Sequence, residues 1–300
     1  MAISFELLDE NHREVEQTII VGQNILLKFV PGRSLVRQNQ KLAKIVELQD
    51  LLRNRGVLDE LRGIAKKSRM LKDVLGKYVQ IWSSSLEEDP AQQRSQELDS
   101  LKVKIEEYSS EIGEAERRIG LSVSDLHYLS FCSSCAAYVG ETDNLITKCL
   151  KCSTLLKEED RIRASYLDKV AVAFLDGGIW LEDYMEKLLS NDGWKAWTHG
   201  SVMGISGVMH PIDLLAIKEG RILIAECKSG KKVEPRDVSH FIVQKSDIPS
   251  HCGFFFALTD CSAKTTIDLF RAHSSFLIDQ LEGKSDKEII ERLNKYLEKL

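Results

Sequence analysis

Residues 211–228 read Pro211-Ile212-Asp213-Leu214-Leu215-Ala216-Ile217-Lys218-Glu219-Gly220-Arg221-Ile222-Leu223-Ile224-Ala225-Glu226-Cys227-Lys228. Two apolar runs, 210–217 and 221–228, flank the short turn Lys218-Glu219-Gly220, the pattern of an antiparallel hairpin. Strand side chains alternate faces, so Ile222, Ile224, Glu226 and Lys228 point one way and Leu223, Ala225 and Cys227 the other. Both faces are apolar, as expected of a strand in the middle of a covered sheet. A carboxylate and an ammonium at the end of such a strand are costly to bury unless paired or bound to a metal. Asp213, on the neighbouring strand, converges on Glu226. Two carboxylates on adjacent strands with a lysine two residues on make a site for Mg²⁺ or Mn²⁺. The alternative is a buried salt bridge of Lys228 with Glu226 or Asp213.

The flanking sequence supplies the rest of an α/β layer. Gly178-Ile179-Trp180 opens a helix in which Leu181, Tyr184, Met185, Leu188 and Leu189 form an apolar face, with Glu182 and Glu186 one turn apart on its flank. Asn191-Asp192-Gly193 ends it, and 194–202 fits a strand. Beyond the hairpin, 238–248 suits a helix, 251–258 a buried strand, 262–272 a helix and 275–278 a short strand. Ser285-Asp286-Lys287-Glu288 reads as a capping box opening a last helix.

In this context the sequence resembles the PD-(D/E)xK nuclease superfamily, which has the restriction-endonuclease-like fold. The residues that carry the resemblance are Pro211-Ile212-Asp213, Glu226-Cys227-Lys228 and the helix glutamate Glu182 in Trp180-Leu181-Glu182. Gln244, beside Lys245 on the helix starting near Pro235, falls where members often carry a further polar residue. Within the superfamily the stretch looks most like Mrr-like restriction nucleases and the nuclease domain of CRISPR-ancillary nucleases. The resemblance covers 158–300 and implies a mixed sheet flanked by helices. It also implies a metal-dependent endonuclease acting on DNA, with RNA as an alternative, in restriction or anti-phage defence. Asp213, Glu226 and the Cys227 backbone carbonyl would hold the divalent ion, with Glu182 reaching the metal shell directly or through water. Lys228 would orient or deprotonate the attacking water or stabilise transition-state charge. A catalytically silent subunit that binds DNA or protein is the second reading. Control by cyclic oligonucleotides is not carried over, because the segment before the nuclease-like part has a different pattern.

That segment holds Cys132-Ser133-Ser134-Cys135 and Cys149-Leu150-Lys151-Cys152, thirteen residues apart. Two CxxC knuckles at this separation complete a tetrahedral four-thiolate site for structural Zn²⁺, and the segment resembles a zinc ribbon. Ala136 to Lys148 fits a small hairpin through Gly140 and Asn144. Upstream, Leu42, Ile45, Leu48, Leu52, Leu58, Leu61, Met70, Val74 and Ile81 recur at helical spacings. After a break at Glu87-Glu88-Asp89-Pro90, Leu98, Leu101, Ile105, Tyr108, Ile112, Ala115 and Ile119 alternate steps of three and four. This stripe predicts a helical hairpin or a coiled-coil arm joining a homodimer or a partner protein. Near the start, Thr18-Ile19-Ile20-Val21 fits a strand as well as a helical face. The expected division is an α-helical coiled-coil arm at 1–126, a zinc ribbon at 127–157 and a restriction-endonuclease-like α/β core at 158–300.

Composition bounds these readings. With 300 residues, 43% of them hydrophobic, and only 18 Gly and 5 Pro, the chain is neither disordered nor of low complexity. No apolar run is long enough to span a membrane, and the first residues lack a secretory pattern. Seven cysteines, an odd number with two CxxC pairs, fit a reducing, cytoplasmic setting. A net charge of −5 argues against coating nucleic acid non-specifically, though not against a local basic site in Lys231, Lys232, Arg236 and Lys245.

Overall fold

The computed structural model describes residues 17–21, 25–30, 52–83, 91–135, 137–142, 146–230, 233–261, 268, 270, 273 and 275–299. In chain order the elements begin with β1 (Gln17–Val21), β2 (Ile25–Val30), α1 (Arg55–Ser83), α2 (Ala91–Ile119), β3 (Asp125–Cys132), β4 (Ala137–Thr142), β5 (Arg161–Tyr166) and α3 (Lys169–Asp176). They continue with α4 (Ile179–Asn191), β6 (Lys195–Met203), β7 (Met209–Lys218), β8 (Arg221–Lys228), α5 (Pro235–Asp247), β9 (Cys252–Ala257), β10 (Ser275–Ile278) and α6 (Asp286–Leu297). The chain divides into two compact units, Met1–Arg55 with Gly177–Leu300, and Gly56–Asp176. No helix among the described residues is long and apolar enough to cross a membrane.

The first unit is mixed α/β. Its seven strands run in the order β1-β2-β6-β7-β8-β9-β10. Pairing is antiparallel from β1 to β8 and parallel from β8 to β10. The ambiguous 18–21 stretch is therefore strand, and it joins this sheet rather than a helical arm. β8 is central and buried on both faces, as its two-sided apolar pattern requires. On one face Leu215, Ile217, Ile222 and Ile224 pack with Val238, Phe241 and Phe255. On the other, α4 lies against β6, β7 and β8 and buries Trp180, Leu181, Met185, Leu188 and Leu189. α6 starts at the capping box, in which Ser285 accepts from the Glu288 N–H, and packs on β10 and α4. Phe254, Phe255 and Phe256 are core residues, as β9 is buried throughout. The expected helix at 262–272 lies largely outside the described residues.

The second unit pairs two long helices with a three-stranded antiparallel sheet, order β4-β3-β5. Arg118 clasps Glu60 at 2.8 and 3.1 Å, and Lys67 bonds Glu111, so α1 and α2 run antiparallel. Leu101, Ile105, Ile112 and Ala115 of the heptad stripe are buried inside the unit, where α2 packs on β5. The stripe makes a hairpin and is not an exposed dimer seam. On α1 the buried face is Leu58, Leu61, Ile64, Leu71 and Leu75; Met70 and Val74 lie off it. β5 pairs with β3 along its length, which carries the ribbon sheet past position 157 to Tyr166.

Candidate active site and metal centre

The β7–β8 hairpin forms, but Lys218 pairs with Arg221, so the turn is the two residues Glu219-Gly220 rather than three; Leu214 lies opposite Ala225 and Ile217 opposite Ile222. Continuing that register sets Asp213 opposite Glu226, on the same face as Leu215 and Ile224. At this row the backbone ladder gives way. The Cys227 N–H donates to the Asp213 carboxylate at 2.7 Å. On the other side of β7 the registered pairs step from Thr198↔Leu214 to Gly200↔Ile212, and the residue between, His199, sits at φ 56°.

Lys228 donates to Glu226 at 2.7 Å and lies 3.7 Å from Asp237 of α5. Burial works against the Lys228 ammonium, but Glu226, Asp213 and Asp237 outweigh it and raise its pKa. Burial, reinforced by the charges of Glu182 and Glu226, pushes Asp213 up to about 8, against the pull of the Cys227 N–H bond. Burial also raises Glu182, opposed by its bond to His199. The Cys227 thiol, buried near the same carboxylates, is pushed well above its ordinary range and packs as an apolar side chain. Glu182, Asp213, Glu226 and Lys228 thus form one electrostatic cluster.

Local backbone features position the cluster. Gly178 starts α4 at φ 78°, a left-handed turn that a side chain resists, and a Cβ there would meet Ser229 Oγ at 2.7 Å. That close approach sets the first turn of α4, with Glu182, against the residue that follows Lys228. Gln244 is buried on α5 and donates to the Pro211 carbonyl at 2.9 Å, so it touches the strand two residues before Asp213. Its side-chain nitrogen serves that carbonyl and is not directed to the acidic groups.

Two further residues were not singled out in the sequence. His199 bonds Glu182 at 2.7 Å and Asp183 at 2.9 Å. Asp237 reaches Lys228 while its other oxygen accepts from the Glu234 N–H at 3.0 Å. The capping pattern of Glu234 and Asp237 was a signal for the second of these, whereas His199 left none in spacing. Of the basic residues after the motif, Lys231 and Lys232 lie outside the described residues and Arg236 is exposed. Lys245 is half-buried and donates to the Ser250 carbonyl at 3.2 Å, so it is not a surface cation. His210 bonds Asp247 at 2.6 Å, with Ser206 on the same carboxylate, and ties the β6–β7 turn to α5.

The four cysteines form the second site. Among the described residues they are the group of potential ligands whose donor atoms all lie within 4.8 Å of one another. Sulfur separations of 3.6 Å (Cys132–Cys152) and 3.7 Å (Cys135–Cys149) exclude disulfides. They match the edge of about 3.8 Å that a tetrahedron with Zn–S bonds of about 2.3 Å requires. The Lys151 N–H donates to Cys149 Sγ at 3.4 Å, as a turn closing on a thiolate does. Hydrogen bonding with Thr154 lowers Cys152 to about 6, while burial, reinforced by the neighbouring cysteines, holds Cys135 up at about 12. One thiolate suppresses the next, and a divalent cation relieves that conflict. The donor set therefore fits zinc. Asn144, expected to help turn the intervening hairpin, lies outside the described residues.

No family model and no curated protein matches this chain. Among solved structures, AF1548, a protein of unknown function, is 16% identical with a TM-score of 0.32, over 38% of this chain and 65% of its own. VC1899 from Vibrio cholerae is 13% identical with a TM-score of 0.44, over 90% of this chain and 58% of its own. Can2 from Sulfobacillus thermosulfidooxidans, solved in complex with cyclic tetra-adenylate, is 13% identical with a TM-score of 0.41, over 89% of this chain and 58% of its own. The chain thus spans between 58% and 65% of the length of these three structures, to which it is distantly similar.

Proposed function

We propose that this protein is a metal-dependent endonuclease that hydrolyses phosphodiester bonds in DNA. Its core would be restriction-endonuclease-like, and the setting of restriction or anti-phage defence comes with the family resemblance. The observation that supports the activity is the placing of Asp213 opposite Glu226 at a break in the ladder, with Lys228 on the same strand. Neighbouring carboxylates resist ionising together, and a divalent cation removes that penalty.

In this reading Asp213, Glu226 and the Cys227 carbonyl hold Mg²⁺ or Mn²⁺, with Glu182 in its shell. The ion, when bound, supplies an activated water and neutralises charge on the phosphoryl oxygens. Lys228 holds its proton and turns from Glu226 to the attacking water or to the developing charge. Gln244 fixes the start of the Asp213 strand through Pro211. Zinc holds the ribbon and stays out of the chemistry, since four thiolates leave no open position.

The Lys228–Glu226 ion pair favours the second reading, a silent nuclease-like fold that binds DNA or protein. Calorimetric titration with Mn²⁺ separates the two: the enzyme reading predicts binding that Glu226→Gln weakens at least about tenfold, and a parent chain that takes up no ion contradicts it. Parallel incubation with plasmid, single-stranded DNA and RNA assigns the substrate.

A further inference from the structure

Two consecutive residues of β6 engage three carboxylates of α4. Thr198 Oγ1 donates to Glu186 at 3.0 Å and lies 3.4 Å from Asp183. His199 places Nδ1 2.7 Å from Glu182 Oε2 and Nε2 2.9 Å from Asp183 Oδ1. The two ring nitrogens thus span two neighbouring carboxylates of one helix, and the contacts fix the plane of the ring. Strand alternation alone would aim this side chain to the face of Asp213. The left-handed φ of 56°, unusual for a residue inside a strand, turns it to the helix instead. Backbone strain of this kind persists only where the surroundings hold it. Asp183 is 9% exposed and its second oxygen, Oδ2, is buried without a hydrogen-bond partner. An acid spends its burial here on one histidine bond and a distant hydroxyl, an arrangement poor for stability.

We propose that His199 is a positioning residue of the carboxylate site: with Asp183 as its anchor it grips Glu182 Oε2 and leaves Oε1 for the ion that Asp213 and Glu226 hold. The inference rests on the metal-site reading above. His199 fixes the rotamer of Glu182, the member of the cluster carried by α4.

The test is a double-mutant cycle on the full chain with His199→Asn, Glu182→Gln and both together. Asn tolerates a left-handed backbone, so the substitution removes the clamp with little added strain. His199→Gly is the second variant should the first fail to fold, since glycine adopts this φ freely. Melting without metal establishes folding; Mn²⁺ affinity and cleavage kinetics are the readouts. The clamp predicts that His199→Asn lowers kcat about tenfold or more with KM within about twofold, because small displacements of catalytic groups act on kcat. It also weakens Mn²⁺ binding, and both losses shrink to less than about twofold in the Glu182→Gln background. Equal losses in both backgrounds, or an unchanged His199→Asn in a chain that binds Mn²⁺ and cleaves, overturn the proposal while leaving the nuclease reading intact. A parent chain that neither binds Mn²⁺ nor cleaves overturns both.

Discussion

At the residue scale the candidate site carries a buried carboxylate whose ionisation opposes folding. Asp213 has an ordinary pKa of 3.8 and is held at about 8 in the fold. Between those values the folded chain binds more protons than the unfolded one, so this group's contribution falls as pH rises from about 4 to about 8. Asp213→Asn carries no such penalty. It should raise the melting temperature of the metal-free chain by about 3 °C or more at pH 8, with the gap clearly smaller at pH 5, while abolishing Mn²⁺ binding. An equal gap at both pH values would mean that the Asp213 carboxylate is not strained. Asp213, Glu226 and Lys228 could be placed from the sequence because strand alternation and a short turn dictate which side chains share a face. His199 was not. Its direction follows from one backbone dihedral, and nothing in the run Trp197-Thr198-His199-Gly200 announces that dihedral.

The elements show which local rules held. The β7–β8 hairpin, the start of α6 and the α4 face followed from periodicity and caps, each a local cause, while the hairpin turn proved one residue shorter than its Lys218-Glu219-Gly220 reading. The α1 stripe departed at Met70 and Val74, where Leu71 and Leu75 are buried instead. A helix whose apolar residues outnumber one face has more than one readable stripe, and the packing partner selects among them. The ribbon's third strand, β5, was missed because Arg161 to Tyr166 carries charge on alternate positions and pairs with β3 across intervening loops. Gly178 joins α4 to the end of β8. Gly178→Ala should cost about 1–2 kcal/mol for the left-handed backbone alone, and more from the clash with Ser229. Adding Ser229→Ala should restore part of the loss, since the next atom stands 3.8 Å away. Thermal melts of the three variants check this; a neutral Gly178→Ala would show that α4 is not pinned there.

At the scale of the whole molecule, the four-cysteine cluster and the candidate carboxylate site belong to different units. The four-cysteine cluster should hold one zinc per chain, and elemental analysis reads that directly. Structural zinc contributes about 10–16 kcal/mol to folding in small zinc modules, so chelation or Cys149→Ser should unfold the ribbon and lower the melting transition of Gly56–Asp176. A zinc-free chain with unchanged melting would refute this. The grouping of 17–30 with the α/β sheet was not legible, because two short strands far from their partner β6 in sequence carry no record of it. The net charge of −5 is compatible with the proposed function, in which the site would grip one phosphate through an ion rather than a duplex through a basic surface. The most direct test is cleavage of plasmid DNA by the purified full chain with Mn²⁺, comparing the parent with Asp213→Ala and Lys228→Ala. The account predicts cleavage by the parent and at least about a hundredfold loss in each variant. Variants that cleave as fast as the parent, or a parent that cleaves equally well in the presence of a chelator, would contradict it.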